Sequence, residues 1–269
     1  MAADAASKQP ALVLSRVPPD EAAQYGAAFS AICAELSKAG ISATIVDSVY
    51  DMQADDAGAA FLRGITGDLA FLGWHYPRAL KWTLAHLGVE VNVATRKLHC
   101  LDVRDSKPET LVATAKDTLA GGQCASASSP AGSQDLVPRW YPVVDYDRCT
   151  NCMECLDFCL FGVYGVDDKE RLRVVSPDQC RPDCPACARV CPAGAIVFPK
   201  YRTNRNIAGA DTDESPAARK LDLSAVFGKP QARHQAAVER DQELLKADRK
   251  PAGTDKVDEL ADQFEKLGL

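Results

Sequence analysis

Two runs of cysteine constrain this chain more than any other feature of its sequence. The first is Cys149, Cys152, Cys155 and Cys159, spaced C-x2-C-x2-C-x3-C. The second is Cys180, Cys184, Cys187 and Cys191, spaced C-x3-C-x2-C-x3-C and followed by Pro192. The two runs hold all but Cys33, Cys100 and Cys124 of the chain's 11 cysteines. Thiols this dense serve disulfides in exported chains and metals in reducing compartments. The cysteine count is odd, and Met1 to Pro10 is polar and Ala-rich, with no basic region leading into an apolar core. Both features argue against export and disulfides and favour metal chemistry, with the cytoplasm as the expected compartment.

The sequence over roughly residues 140–200, about a quarter of the chain, resembles the bacterial-type two-[4Fe–4S] ferredoxin family. The cysteine spacing carries the resemblance, together with CLFGVY from Cys159 and CPAGAI from Cys191, which display an internal two-fold repeat. The resemblance implies two [4Fe–4S] clusters in an α+β ferredoxin-like domain. It also implies crossed ligation. A loop tight enough to place three thiolates on three irons cannot supply the fourth, which in this family comes from the other run. One cluster would then be held by Cys149, Cys152, Cys155 and Cys191, and the other by Cys180, Cys184, Cys187 and Cys159. Such crossing would couple cluster binding to folding. There are two departures. Leu160 stands where the family has proline, and Arg181-Pro182-Asp183 makes the first gap of the second run one residue longer. Neither removes a ligand, and the longer loop would alter amide hydrogen bonding to its cluster and so its potential.

Two rival metal readings fit less well. Zinc takes four cysteines readily but favours paired C-x-x-C units over two four-cysteine runs. The spacing Cys180-x3-Cys184-x2-Cys187 is also that of radical S-adenosylmethionine proteins. There the motif sits early in a β/α barrel, whereas here a complete upstream run precedes it.

Residues 11–120 alternate between short apolar runs and helical periodicity. Strands are expected at 11–17, 42–47, 68–73 and 97–103, and helices at 22–38, 56–63, 77–87 and 108–119. This alternation argues for an α/β domain with a small parallel sheet over residues 1–120. Residues 121–138, rich in Gly, Ser and Ala, read as a flexible linker. The ferredoxin domain is expected over 139–202 and a polar, partly helical tail over 203–269, extended in its first part. Within that tail, Val257, Leu260, Ala261, Phe264 and Leu267 place an amphipathic helix at 255–267, able to dock on a partner or fold back.

The formal net charge is −6, so no basic face invites nucleic acid, and no apolar stretch is long enough to span a bilayer. The α/β part has neither G-x-G-x-x-G nor G-x-x-x-x-G-K-[ST], which leaves dinucleotide and ATP binding without support. Its best candidate loop is Gly73–Pro77, after the third strand. There His75 is either a ligand-binding group or an exposed residue between packed Trp74 and Tyr76. Cys33 reads as a small apolar residue on a helix face, His99 and Cys100 as strand packing, and Cys124 as a free linker thiol. His86 and His234 stand alone.

The expected function is an electron-transfer protein or subunit that passes single electrons between redox partners, alone or within a larger oxidoreductase complex. It is a carrier in this reading and not an enzyme in its own right. An iron–sulfur subunit whose α/β domain binds a substrate or flavin, and a non-catalytic redox-sensing or interaction module, are the alternatives.

Overall fold

The computed structural model describes residues 10–104, 106–119 and 136–211. Residues 120–135, which hold Cys124 and most of the expected 121–138 linker, and everything beyond 211, with His234 and the 255–267 stripe, lie outside the described residues.

The first part forms β1 (Ala11–Ser15), α1 (Ala22–Lys38), β2 (Thr44–Val46), α2 (Ala57–Gly64), β3 (Leu69–Gly73), α3 (Pro77–His86), β4 (Leu98–Asp102) and α4 (Pro108–Leu119). All four strands are parallel, in the order β2-β1-β3-β4. The α/β expectation is met here, with element ends within about two residues of those read from the sequence. Alternation along β1 explains the layering, since successive side chains in a strand point to opposite faces. Val13 packs with Phe71, Leu62, Leu80 and Leu84 on the α2 and α3 side. Leu12 and Leu14 pack with Leu72, Ile32, Leu36 and Leu111 on the α1 and α4 side. The central strand β3 is buried at every residue, as expected for a parallel strand covered on both faces.

The second part is built from short elements. They are β5 (Val143–Val144), α5 (Glu154–Phe158), β6 (Tyr164–Val166), β7 (Leu172–Val174), α6 (Ala186–Val190) and β8 (Ile196–Val197). β5 pairs antiparallel with β8, so the strand before the first cysteine run lies beside the strand after the second. β6 and β7 form an antiparallel hairpin between the runs. Residues 203–211, assigned from sequence to the extended polar tail, instead turn back on this part. The Ile207 carbonyl accepts the amide of Phe198 (2.7 Å), and Asn206, Ile207, Ala208 and Ala210 are buried.

Both parts lie within one compact unit. Tyr50, Ala79 and Trp82 from the first share an apolar cluster with Tyr141, Val143 and Val197 from the second. The Tyr50 and Tyr141 rings stack at 4.4 Å between centroids. The Tyr50 hydroxyl donates to the Tyr141 carbonyl (2.5 Å) and accepts from its amide (2.8 Å).

Candidate metal centre

The two cysteine runs adopt matching local structure. In each, a short helix carries the third cysteine near its start and leads into the fourth: Cys155 and Cys159 with α5, Cys187 and Cys191 with α6. Three residues past each fourth cysteine stands a glycine with positive φ, Gly162 at 67° and Gly194 at 58°. A side chain at either position would be strained in that left-handed turn, so the two-fold repeat in the sequence has a conformational cause. Asn151 and Met153 in the first run and Asp183 in the longer loop of the second also adopt positive φ. Non-glycine residues seldom hold that conformation unless their surroundings fix it. For Asn151 the fixing contacts are visible. Its side chain donates to the Glu170 carbonyl (2.9 Å) and accepts the Leu172 amide (2.8 Å), which ties the first run to the β6–β7 hairpin.

Asp145 sets the entry to the first run. One carboxylate oxygen accepts the amides of Asp147 (3.1 Å) and Arg148 (3.3 Å), and its carbonyl accepts the amide of Cys149 (2.9 Å). The other oxygen accepts from Arg78 of α3 (3.2 Å) in a pair with both side chains almost fully buried. Arg78 also donates to the carbonyls of Gly194 (3.2 Å) and Asn206 (2.9 Å). A single guanidinium from the parallel-sheet part thus holds the start of one run, the end of the other and the returning 203–211 segment.

All eight cysteines of the two runs are free thiols. Their electrostatic neighbourhoods divide by position in space and not by run. Cys149 feels Cys191 and Cys152, and Cys155 feels Cys191 most strongly, then Cys187 and Cys149. Cys180 feels Cys184 and Cys159, and Cys187 feels Cys180, Cys159 and Cys184. Cys191 thus interacts with Cys149 and Cys155 of the other run, and Cys159 with Cys180 and Cys187. Burial first, and the neighbouring thiols second, push Cys155, Cys180 and Cys187 up to about 12. Such thiols keep their protons until a positively charged group displaces them, which is how a metal-binding cysteine set behaves. The amide of Ala195 already points at the Cys191 sulfur (3.3 Å), a contact that tunes a metal–thiolate site. The phenol of Tyr164 is buried beside Cys187, and that burial raises it well above the usual tyrosine range. Among the described residues, no three His, Cys, Asp or Glu side chains gather as they would around one metal ion. Four sulfurs at 2.3 Å from one zinc would crowd to about 4 Å of each other, whereas a cubane spreads its thiolates over four irons. The donor chemistry, thiol throughout, fits iron–sulfur ligation.

The remaining candidates sort differently. Cys33 is half-buried on α1, and Cys100 is packed on β4 with burial pushing its thiol up to about 12. Trp74 is in the core, where its indole N–H donates to the Ser15 carbonyl (2.9 Å). His75 is neither exposed nor turned to the surface. It is buried, edge-on to Tyr50, with no partner for either ring nitrogen among the described residues. Burial first, then Arg104 and Lys200 nearby, hold its imidazole well below the usual range, so it is neutral. Nothing in the sequence singles out Arg78 or Asp145, which lie 67 residues apart and acquire a role only by meeting.

No family model matches the chain. It is similar to an uncharacterized ferredoxin of Methanocaldococcus jannaschii, 40% identical over 67 residues. The matched stretch is 24% of this chain and 45% of that relative, so the chain spans less than half the length of the relative it matches. No helix among the described residues is long and apolar enough to cross a membrane. The similarity and the two cysteine runs together point to a ferredoxin-type domain and, in general terms, to an iron–sulfur role in electron transport.

Proposed function

We propose that the chain carries two [4Fe–4S] clusters and passes single electrons between redox partners. Cys149, Cys152, Cys155 and Cys191 hold one cluster, and Cys180, Cys184, Cys187 and Cys159 hold the other. The observation that supports this reading is the electrostatic interaction of Cys191 with Cys149 and Cys155, and of Cys159 with Cys180 and Cys187. The clusters supply one-electron redox chemistry. The chain's own residues bury Cys155 and Cys187, direct the Ala195 amide at Cys191 and anchor the first run through Asp145. Cys152 is exposed, and Phe158 and Leu160, on either side of Cys159, face solvent. Ligands so close to the surface suit a carrier that exchanges electrons with a protein partner.

The test is elemental analysis of protein purified without oxygen, with Cys191→Ala beside the parent. The parent should hold about eight irons and eight acid-labile sulfides per chain, with a brown absorbance bleached by dithionite. Cys191→Ala should lose one cluster signal in electron paramagnetic resonance. Cys149→Ala should lose the same signal, and Cys180→Ala the other. Zinc without iron in the parent would overturn the reading, and pairing of the Cys191 phenotype with that of Cys180 would overturn the ligand sets.

A further inference from the structure

The turns that leave the carboxyl ends of β1, β3 and β4 converge on one crevice of about 200 Å³. Glu21 reaches it from the first turn and Gln24 from the start of α1, Tyr76 from the second turn and Arg104 from the third, while Lys200 and Arg202 close it from the cysteine-rich part. In the order β2-β1-β3-β4, the connection out of β1 runs toward one edge and that out of β3 toward the other. The helices that follow, α1 and α3, pack on opposite faces of the sheet. Open parallel sheets take their ligands beyond the strand ends at such a point.

The lining is strongly cationic. Arg104, Lys200, Arg202 and Arg205 face one acid, Glu21, among the described residues that form the crevice. Asp102 grips Arg104 through both carboxylate oxygens, and Asp51 and Asp20 hold Lys200 (2.7 and 2.9 Å). These pairs fix the two cations in place. Arg205 forms no ion pair among the described residues. Its Nε donates to the Tyr76 hydroxyl (2.9 Å), and its guanidinium lies 5.6 Å from the Tyr76 ring centre, with that of Arg104 4.9 Å from the same ring. Asp102 already neutralises Arg104, so Arg205 is the cation on this ring whose charge has no carboxylate partner among the described residues.

Glu21 gives a second, independent sign. Its side chain is 6% exposed, one oxygen accepts from Arg202 (3.1 Å), and the other meets no partner among the described residues. A buried oxygen without a partner is a position that a ligand can satisfy. Burial raises this carboxyl above its ordinary range. Glu21 also precedes the first turn of the 17-residue α1, which no side chain caps, so the helix end favours negative charge.

We propose that this crevice binds a small anion bearing two or more phosphate or carboxylate groups. The volume equals roughly seven waters at about 30 Å³ each, enough for a short diacid, triacid or diphosphate and too small for a nucleotide. Recognition comes from Arg104, Lys200, Arg202 and Arg205, and shape from Tyr76. The site is separate from the eight cysteines and does not depend on what they hold.

The test is calorimetric titration of the full-length protein, purified without oxygen, with pyrophosphate and separately with citrate, in chloride buffer of matched ionic strength. Saturable binding of one anion per chain is expected for at least one probe, and which one binds distinguishes phosphate from carboxylate chemistry. Arg202 and Arg205 are exposed, so R202Q and R205Q keep the fold, and each should weaken binding about tenfold, the loss of one charge-assisted hydrogen bond. K38Q makes the same charge change at the far end of α1 and should leave affinity within about twofold. No saturable binding of either probe would overturn the proposal, as would equal weakening by R205Q and K38Q.

Discussion

Arg78 carries more of the structure than its place in a helical segment suggests. Its guanidinium is buried against Asp145 and bonds two carbonyls from segments far away in sequence. Removing one member of a buried pair leaves the other charged and desolvated, at a cost of about 3–5 kcal/mol. Arg148 (3.5 Å) and two backbone amides would still serve Asp145, which places Arg78→Met at the lower end, about 3 kcal/mol. Urea unfolding of protein kept without oxygen measures it, and a loss below about 1 kcal/mol would contradict the role given to the pair. Combined with Asp145→Asn, the two losses should fall short of additivity, because the second change removes the stranded charge. Cysteine positions could be read from sequence because metal chemistry imposes spacing along the chain. Arg78 could not, because its importance depends on what lies opposite it after folding. His75 was misplaced for the same reason. Nothing local announces that Tyr50 will pack edge-on against its ring.

At the scale of elements, the strands and helices of the first part were legible because each follows its own period, and the buried β3 reads as a plain apolar run. α3 is the exception. It buries Leu80 and Leu84 against the sheet and Ala79 and Trp82 against the cysteine-rich part, so it lacks the single apolar stripe of a surface helix. His86, at its last residue, shows the consequence. Its ring lies 5.0 Å from that of Tyr141, and burial, helped by Arg139, pushes it down to about 4. The unfolded chain binds the proton near pH 6.5 and the folded chain only near 4, so the folded state favours neutral imidazole. The stability from His86 is therefore fully present above pH 6.5 and declines as the pH falls toward 4. His75 acts in the same direction. His86→Phe should flatten this dependence without abolishing it. Urea midpoints at pH 7 and pH 5 provide the measurement, and an unchanged difference between them would show that His86 is protonated freely in the fold.

At the scale of the whole molecule, the sequence suggests two bodies joined by a polar linker, since composition changes sharply near residue 121. What composition cannot register is the pairing of Tyr50 with Tyr141, 91 residues apart. That pair stacks, exchanges two hydrogen bonds and anchors an apolar cluster drawn from both parts. Arg78 adds a buried ion pair across the same boundary, and Lys200 reaches back to Asp20 and Asp51. A boundary with buried aromatic packing and desolvated charge is hard to open without exposing both cores, so the two parts should unfold as one cooperative unit. Native-state hydrogen exchange tests this directly. Amides of β3 in the parallel sheet and of β5 and β8 beside the cysteine runs should exchange through openings of the same free energy. Tyr50→Ala removes a fully buried aromatic ring and should lower that shared free energy by about 3–5 kcal/mol in both sets of strands. If β5 and β8 instead open well below β3, and Tyr50→Ala shifts only one set, the contacts across the boundary join two independently stable bodies. The anion crevice, which takes residues from each part, would then open whenever they separate.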